Sequence, residues 1–213
     1  MQNNKSQNVP GLAVDIDDTL ADTFWYFINK LQERFGNPEG LSIDDIVRNY
    51  RIMPAVPYWQ TPEIIAWLEG QSLLNEVQEE IPVIDNAAEV LREIHTVAPV
   101  RMYITSRPRT VIKGTRRWLQ KNGFPEAKIV MRPESKRKVD GNAWKADIIQ
   151  RGFPSVAGLV DDNPEVLKAL GKDYPGTIFI FGQHHNNYDG RVRVCPDWDS
   201  VRRTVFYLWK NYV

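Results

Sequence analysis

Five strand-length apolar runs, at residues 11–16, 100–105, 128–131, 156–160 and 177–181, carry this chain, and helical patterns fill the gaps between the later ones. The helical segments fall at 86–96, 110–122, 142–151 and 164–170, with a closing one over 197–212. In 86–96, for example, Ala87, Val90, Leu91 and Ile94 recur at three- and four-residue spacing and make one apolar face. Strands that alternate with helices join by crossovers, and crossovers stack helices on both faces of a parallel sheet. The expected class is therefore α/β: a Rossmann-like, mostly parallel sheet covered on both sides.

The stretch from 21 to 81 breaks this alternation. It contains no convincing parallel strand, several helical pieces, and the aromatics Phe24, Trp25, Tyr26, Phe27, Tyr58, Trp59 and Trp67, punctuated by Pro54, Pro57 and Pro62. A simple βα connection needs only ~2–6 residues. The stretch reads as a small helical cap inserted after the first strand. The expected division is a core of residues 1–20 and 82–213 and a cap of 21–81. Most of the cap aromatics are expected in its own core, as aromatics at helical spacing usually are.

Composition narrows the function. Of 213 residues, 42% are apolar and 25% charged, the balance of a globular chain able to bury a core without disulfide staples. Lys and Arg total 27, and so do Asp and Glu, which removes bulk attraction to nucleic acid or anionic membrane. The apolar runs are too short to span a bilayer. Residues 1–5 read as a polar tail without a signal-peptide pattern, and the single Cys195 fits a reducing compartment. The expectation is a cytoplasmic protein with neither a membrane nor a nucleic acid as its partner.

Three of the strands end in polar groups that a purely structural sheet would not need. The first runs Leu12-Ala13-Val14 into Asp15-Ile16-Asp17-Asp18-Thr19-Leu20. Asp15 and Asp17 share a face if the chain stays extended, but a turn after Asp15 would redirect Asp17. Clustered carboxylates repel, and a divalent cation relieves the repulsion. The second strand ends in Thr105-Ser106-Arg107, where hydroxyls and free N–H groups can hold phosphoryl oxygens. The third ends in Asp161-Asp162-Asn163, with Lys145 upstream near a helix start. Each alone is ordinary: Asp caps turns, Thr caps turns, and most lysines are solvated. Together they differ, because open α/β sheets bind ligands beyond the carboxyl ends of their strands. Acidic acceptors for a metal, hydroxyl donors and a lysine are equipment for handling phosphate.

Other acidic or phosphate motifs fail. A calcium-binding EF-hand counted from Asp15 would need Gly and Glu where Leu20 and Tyr26 stand. No P-loop GxxxxGK[ST] occurs. A phosphoacceptor receiver domain places its lysine last, whereas Lys145 precedes the second acidic pair.

The order DxDxT, Thr, Lys, DD resembles that of the haloacid dehalogenase-like (HAD) hydrolase superfamily. Asp15-Ile-Asp17-Asp18-Thr19-Leu20 is a specific match to its first motif and Asp161-Asp162 to its fourth, while Thr105 and Lys145 gain weight from position. The insert fits the family's first cap position. Thr105-Ser106-Arg107-Pro108, Thr115-x-x-Trp118-Leu119 and the short interval from Lys145 to Asp161 are similar to the 5′(3′)-deoxyribonucleotidase-like branch.

The resemblance implies a phosphomonoesterase working through an aspartyl-phosphate. Asp15 is then the nucleophile. Asp17 protonates the leaving oxygen and later activates water, and an Asp in this place favours a phosphatase over a dehalogenase. Thr105, the Ser106 backbone N–H and Lys145 bind and neutralise the phosphoryl group; Lys136 and Lys138 are rivals for the lysine. Mg²⁺ is implied as cofactor, held by the Asp15 carboxylate, the Asp17 carbonyl and Asp162, with Asp161 assisting. Phe24, Trp25 and Arg107 are candidate substrate contacts, Arg107 pairing with a substrate phosphate or with Asp161. The implied partner is a small phosphomonoester, a nucleoside monophosphate first. Sugar phosphates or polynucleotide ends are the alternative substrates, and a non-catalytic phosphate- or protein-binding module is the alternative of another class. The basic stretch 132–138 reads as a solvated loop on the site's side of the sheet, with a second phosphate or a nucleic-acid end as the alternative contact, and 184–187 reads as a plain loop with rim contacts as the alternative; cap hinges are expected near 19–22 and 81–82.

Overall fold

In the computed structural model of the chain, the described residues are 9–212 except 51, 137, 185–187, 189 and 211. The polar tail at 1–5, Arg137 and the residues His185, Asn186 and Asn187 therefore lie outside them.

Six parallel strands form one sheet: β1 (Gly11–Val14), β2 (Val100–Pro108), β3 (Lys128–Arg132), β4 (Val156–Asp161), β5 (Thr177–Phe181) and β6 (Val192–Cys195), in the spatial order β3-β2-β1-β4-β5-β6. The expected α/β class is the observed one. β1 is central and fully buried. Strand order reverses around it, with β2 on one side and β4 on the other, so the crevice of such a sheet opens at the carboxyl ends of β1 and β4. β1 stops at Val14 rather than 16 because the chain turns back on itself, Leu20 and Ala21 both donating to the Ile16 carbonyl at 2.9 Å. β6 is an addition to the five expected strands. Its four residues include the half-exposed Arg193, so no continuous apolar run marks it.

Alternate residues of β1 feed opposite cores, as the pleat requires. Leu12 and Val14 pack with α5 (Ala87–Val97) and α9 (Trp198–Trp209); Ala13 packs with α7 (Gly141–Gly152) and α8 (Glu165–Leu170). The helix α6 (Ile112–Lys121) adds Trp118 and Leu119 to the first core. Close approach is built in at Gly158, where a Cβ would lie 2.4 Å from Leu12 Cδ2.

The insert holds α1 (Thr23–Phe35), α2 (Ile43–Tyr50), α3 (Pro62–Ser72) and α4 (Asn75–Glu80). A separate apolar cluster of Phe24, Ile28, Leu31, Ile46, Val56, Trp59 and Ile64 holds its outer part together. Tyr26, Val77 and Ile81 belong instead to the main core. α4 packs on α6: the Asn75 side chain accepts from Gly114 N at 2.6 Å, and Trp118 Nε1 donates to the Ile81 carbonyl at 2.7 Å. Asp22 N donates to the Pro82 carbonyl at 2.9 Å. Leu73 and Leu74, between α3 and α4, are exposed. A Cβ on Gly114 would meet the Asn75 backbone oxygen at 2.3 Å, an atom that cannot rotate away. Gly114→Ala is therefore expected to lower stability by roughly 1–3 kcal/mol, read as a lower urea midpoint at unchanged m-value. Among the described residues no helix is long and apolar enough to cross a membrane.

Candidate active site

The turn after β1 and the end of β4 meet across the switch point. Asp15 N donates to the Val160 carbonyl at 2.9 Å, which places Asp15 beside Asp161. Asp15, Asp161 and Asp162 each offer a carboxylate oxygen within 4.8 Å of the others'. Lys145 comes in from α7, whose start is capped by Asp140 accepting from Asn142 N and Ala143 N, both at 2.9 Å. One turn into the helix, the buried Lys145 ammonium lies 2.8 Å from Asp161 Oδ2 and 2.9 Å from Asp15 Oδ1. Lys136 and Lys138 are exposed in the loop before this helix, so Lys145 alone of the three candidates lies between the carboxylates.

Three carboxylates around one ammonium leave an excess of negative charge. Burial pushes Asp15 well above the usual carboxylate range, Lys145 opposes the shift, and Asp161 and Asp162 add to it. Burial likewise lifts Asp162 to about 8, with Asp161 and Asp18 adding to it. Burial works against the charge on Lys145, yet Asp15 and Asp161 outweigh it and raise its pKa. Asp15 Oδ1 is buried and has the Lys145 ammonium, at 2.9 Å, as its ion-pair partner. A surplus of negative charge and an all-oxygen donor set of three clustered carboxylates fit a hard divalent cation. Asp161 is the most committed of the three, one oxygen accepting from Lys145 and the other from Asn163 N at 3.0 Å.

Asp17 is turned out of this cluster. Its Oδ1 accepts from Thr23 Oγ1 at 2.8 Å and from Arg107 Nη2 and Nε at 2.7 and 3.0 Å, and its Oδ2 accepts from Thr105 Oγ1 at 3.1 Å. Desolvation pushes Asp17 up, but the Arg107 charge and the hydrogen bonds from Arg107, Thr23 and Thr105 prevail and hold it below its ordinary value. Arg107 was expected on a substrate phosphate or on Asp161; its partner here is Asp17. The reason is its approach from β2, on the far side of β1 from Asp161. Thr105 is buried and accepts from Arg107 N at 3.1 Å, so its single hydroxyl proton is directed to Asp17. Ser106 is exposed, at the rim beside the first turn of α7. Phe24 is buried in the insert cluster, while Trp25 is only half-buried.

Three further residues shape the site without having been singled out from sequence. Thr19 Oγ1 accepts from Asp162 N at 3.1 Å and ties the β1 turn to the β4 turn. Asp18 takes a left-handed backbone (φ 56°), which Asp tolerates better than most side chains, and its Oδ1 receives Phe24 N at 2.7 Å at the start of α1. Burial pushes Asp18 up to about 7. Thr23 carries α1 directly onto Asp17. Asp18 and Thr19 both stand inside the matched motif; for Thr23 no local signal exists, because its partner is set by the turn.

No protein-family model matches the chain. A Bacillus cereus protein named "Putative nucleotidase" is 28% identical over 116 residues, which are 52% of this chain and 58% of the relative's length. The matched part of the chain thus spans little more than half of that relative. Among solved structures, a HAD family hydrolase from Deinococcus radiodurans R1, crystallised with bound phosphate and sodium, superposes with TM-score 0.56 at 14% identity, covering 94% of this chain and 96% of that one. A HAD-superfamily hydrolase of subfamily IA, variant 1, from Geobacter sulfurreducens PCA gives TM-score 0.55 at 12% identity, over 95% and 99% of the two chains. Superposing on these neighbours over nearly its whole length, the chain has the fold of the haloacid dehalogenase-like superfamily.

Proposed function

We propose that the protein is a divalent-metal-dependent phosphomonoester hydrolase whose nucleophile is Asp15, acting on small phosphorylated metabolites with nucleoside monophosphates as the first candidates. The observation that carries this reading is the buried Lys145 lodged between Asp15 and Asp161, with Asp162 completing a carboxylate cluster at the ends of β1 and β4. A structural ion pair would need one carboxylate for one lysine; three match a site built to receive a cation and an anionic group together.

Asp15, Asp162 and Asp161 would hold the metal, and the resemblance adds the Asp17 carbonyl; the oxygen-only donor set suits Mg²⁺. When bound, such an ion supplies the charge neutralisation that lets a carboxylate approach a phosphoryl dianion. In the first step the Asp15 carboxylate bonds to phosphorus as the bond to the leaving oxygen breaks; Asp17, which must enter this step protonated against the pull of Arg107, delivers that proton to the leaving oxygen. In the second, Asp17 takes a proton from water as the water oxygen bonds to phosphorus. The Asp15–phosphorus bond breaks, releasing inorganic phosphate and restoring the carboxylate. Lys145, with Thr105 and the Ser106 N–H, balances and orients the equatorial oxygens. The Thr105 proton now on Asp17 would turn to the phosphoryl group.

The name of the B. cereus relative and the branch-like Thr105-Ser106-Arg107-Pro108 motif support nucleotides as the substrate class. The test is phosphate release from a panel of nucleoside monophosphates and sugar phosphates, with Mg²⁺ and with EDTA. Metal-dependent release favouring nucleoside monophosphates is expected. Release from sugar phosphates alone would keep the chemistry and discard the nucleotide. No release from any monoester by folded, metal-supplied protein would overturn the enzyme reading in favour of a binding module.

A further inference from the structure

The Asp17–Arg107 contact is too elaborate for a surface ion pair. Arg107 is buried to 6% exposure, while the Asp17 side chain keeps 29% of its surface open. The guanidinium is held from several directions. Its carbon lies 5.9 Å from the centroid of the Trp118 ring, Nη1 is 3.4 Å from Thr115 Oγ1, and its own backbone N–H is fixed on Thr105. Trp118 is in turn anchored to the Ile81 carbonyl. A planar fork fixed in this way sets the orientation of the carboxylate it grips, which a lysine's single charge could not do.

The grip is also asymmetric. Asp17 Oδ1 receives three donors: Thr23 Oγ1, Arg107 Nη2 and Arg107 Nε. Oδ2 receives Thr105 Oγ1 and only the longer branch of Nε, at 3.2 Å. Oδ2 is therefore the less encumbered oxygen, two donors against three, and one of its two is the hydroxyl of Thr105, which can rotate away.

We infer that Arg107 is a positioning residue for the reaction, holding Asp17 by Oδ1 so that Oδ2 is the oxygen that carries and returns the proton. This rests on the reading of Asp17 as the general acid and base of a phosphomonoesterase. Arg107 touches neither the phosphoryl group nor the leaving group in this role; it acts through Asp17.

Leaving-group chemistry separates this from a structural or phosphate-binding role. A general acid matters when the leaving oxygen is a basic alkoxide and matters little when it is p-nitrophenolate. Arg107→Met is expected to lower kcat about 10²-fold on a nucleoside monophosphate and less than about 5-fold on p-nitrophenyl phosphate, with KM within about 3-fold for both. Arg107→Lys keeps the buried charge, which protects the fold, but loses the fork; it should show the same selective loss, smaller in size. Combined with Asp17→Asn, Arg107→Met should slow the enzyme no further than Asp17→Asn alone. Equal losses on both substrates, or a rise in KM at unchanged kcat, would overturn the inference and make Arg107 a general scaffold or a phosphate ligand. If Asp17→Asn itself shows no leaving-group dependence, the acid role of Asp17 fails and the inference with it; if only the Arg107 variants lack it, Asp17 keeps its role and Arg107 loses this one.

Discussion

Asp15→Asn is expected to abolish phosphate release, by more than about 10⁴-fold in kcat, while leaving the protein folded. The substitution keeps the shape of the side chain and removes the charge that would attack phosphorus. It also removes one of the carboxylates that repel one another around Lys145, so the metal-free variant should be at least as stable as the parent protein. Asp161 still pairs with Lys145 at 2.8 Å, which leaves the ammonium compensated. The second half of the prediction concerns binding. A ligand that binds only the native state raises stability by mass action. Mg²⁺ should therefore raise the melting temperature of the parent and raise that of the variant much less, because the cluster has lost one of its three charged ligands. Calorimetric scans with and without the ion provide the check. A fully active Asp15→Asn protein would sink the assignment of the nucleophile, and an unchanged metal response would remove Asp15 from the metal site.

Lys145→Met is expected to destabilise the metal-free protein by about 3–5 kcal/mol, the cost of stranding buried charge when one partner of an ion pair is deleted. Lys145 is 5% exposed and Asp161 is fully buried, so water cannot replace the ammonium without reorganising the turn. The stability of an ordinary domain is roughly 5–15 kcal/mol, and this single change consumes a large part of it. In a domain of this size the melting temperature should fall by roughly 6–20 °C. Adding Mg²⁺ should restore part of the loss, because a second source of positive charge then faces the same carboxylates. Denaturant unfolding of the variant with Mg²⁺ and with EDTA measures both terms. Unchanged stability in EDTA would show that the carboxylates do not depend on Lys145 for neutralisation.

The two changes act on one cluster in opposite senses. Removing a carboxylate eases the metal-free fold and ends the chemistry; removing the lysine harms both. Such an arrangement spends stability on function, and the raised carboxyl groups of Asp15 and Asp162 are its signature. Asp17 adds only the weakest push on Asp15 and is itself held ionised by its own partner, Arg107. The fold thus sets an electrostatically unsatisfied carboxylate cluster beside a carboxylate paired with Arg107, the division that the proposed metal site and proton-transfer role would use.

Much of this protein was legible along the chain, because the signals involved are local. Apolar runs of strand length and apolar residues at helical spacing depend on neighbours a few positions away, and they located five of the six strands and the helices that cover them. The alternation of the two periods implied a parallel sheet, and the sheet implied that Asp15, Thr105 and Asp161 would be gathered at one edge. What no local pattern carries is the choice among equivalent side chains. The sequence favours Lys145 over Lys136 and Lys138 only by its place near a helix start; the capped start of α7 is what delivers it between two carboxylates. Arg107 and Asp17 stand 90 positions apart, and Thr19 and Asp162 stand 143 apart. Those pairings follow from strand order and from the left-handed turn at Asp18, and neither leaves a trace in the residues it brings together. Periodicity therefore settles which elements form, because it is short-range physics. The partner of a buried charge is settled only when the sheet closes, because low-dielectric pairing is decided by distance in space.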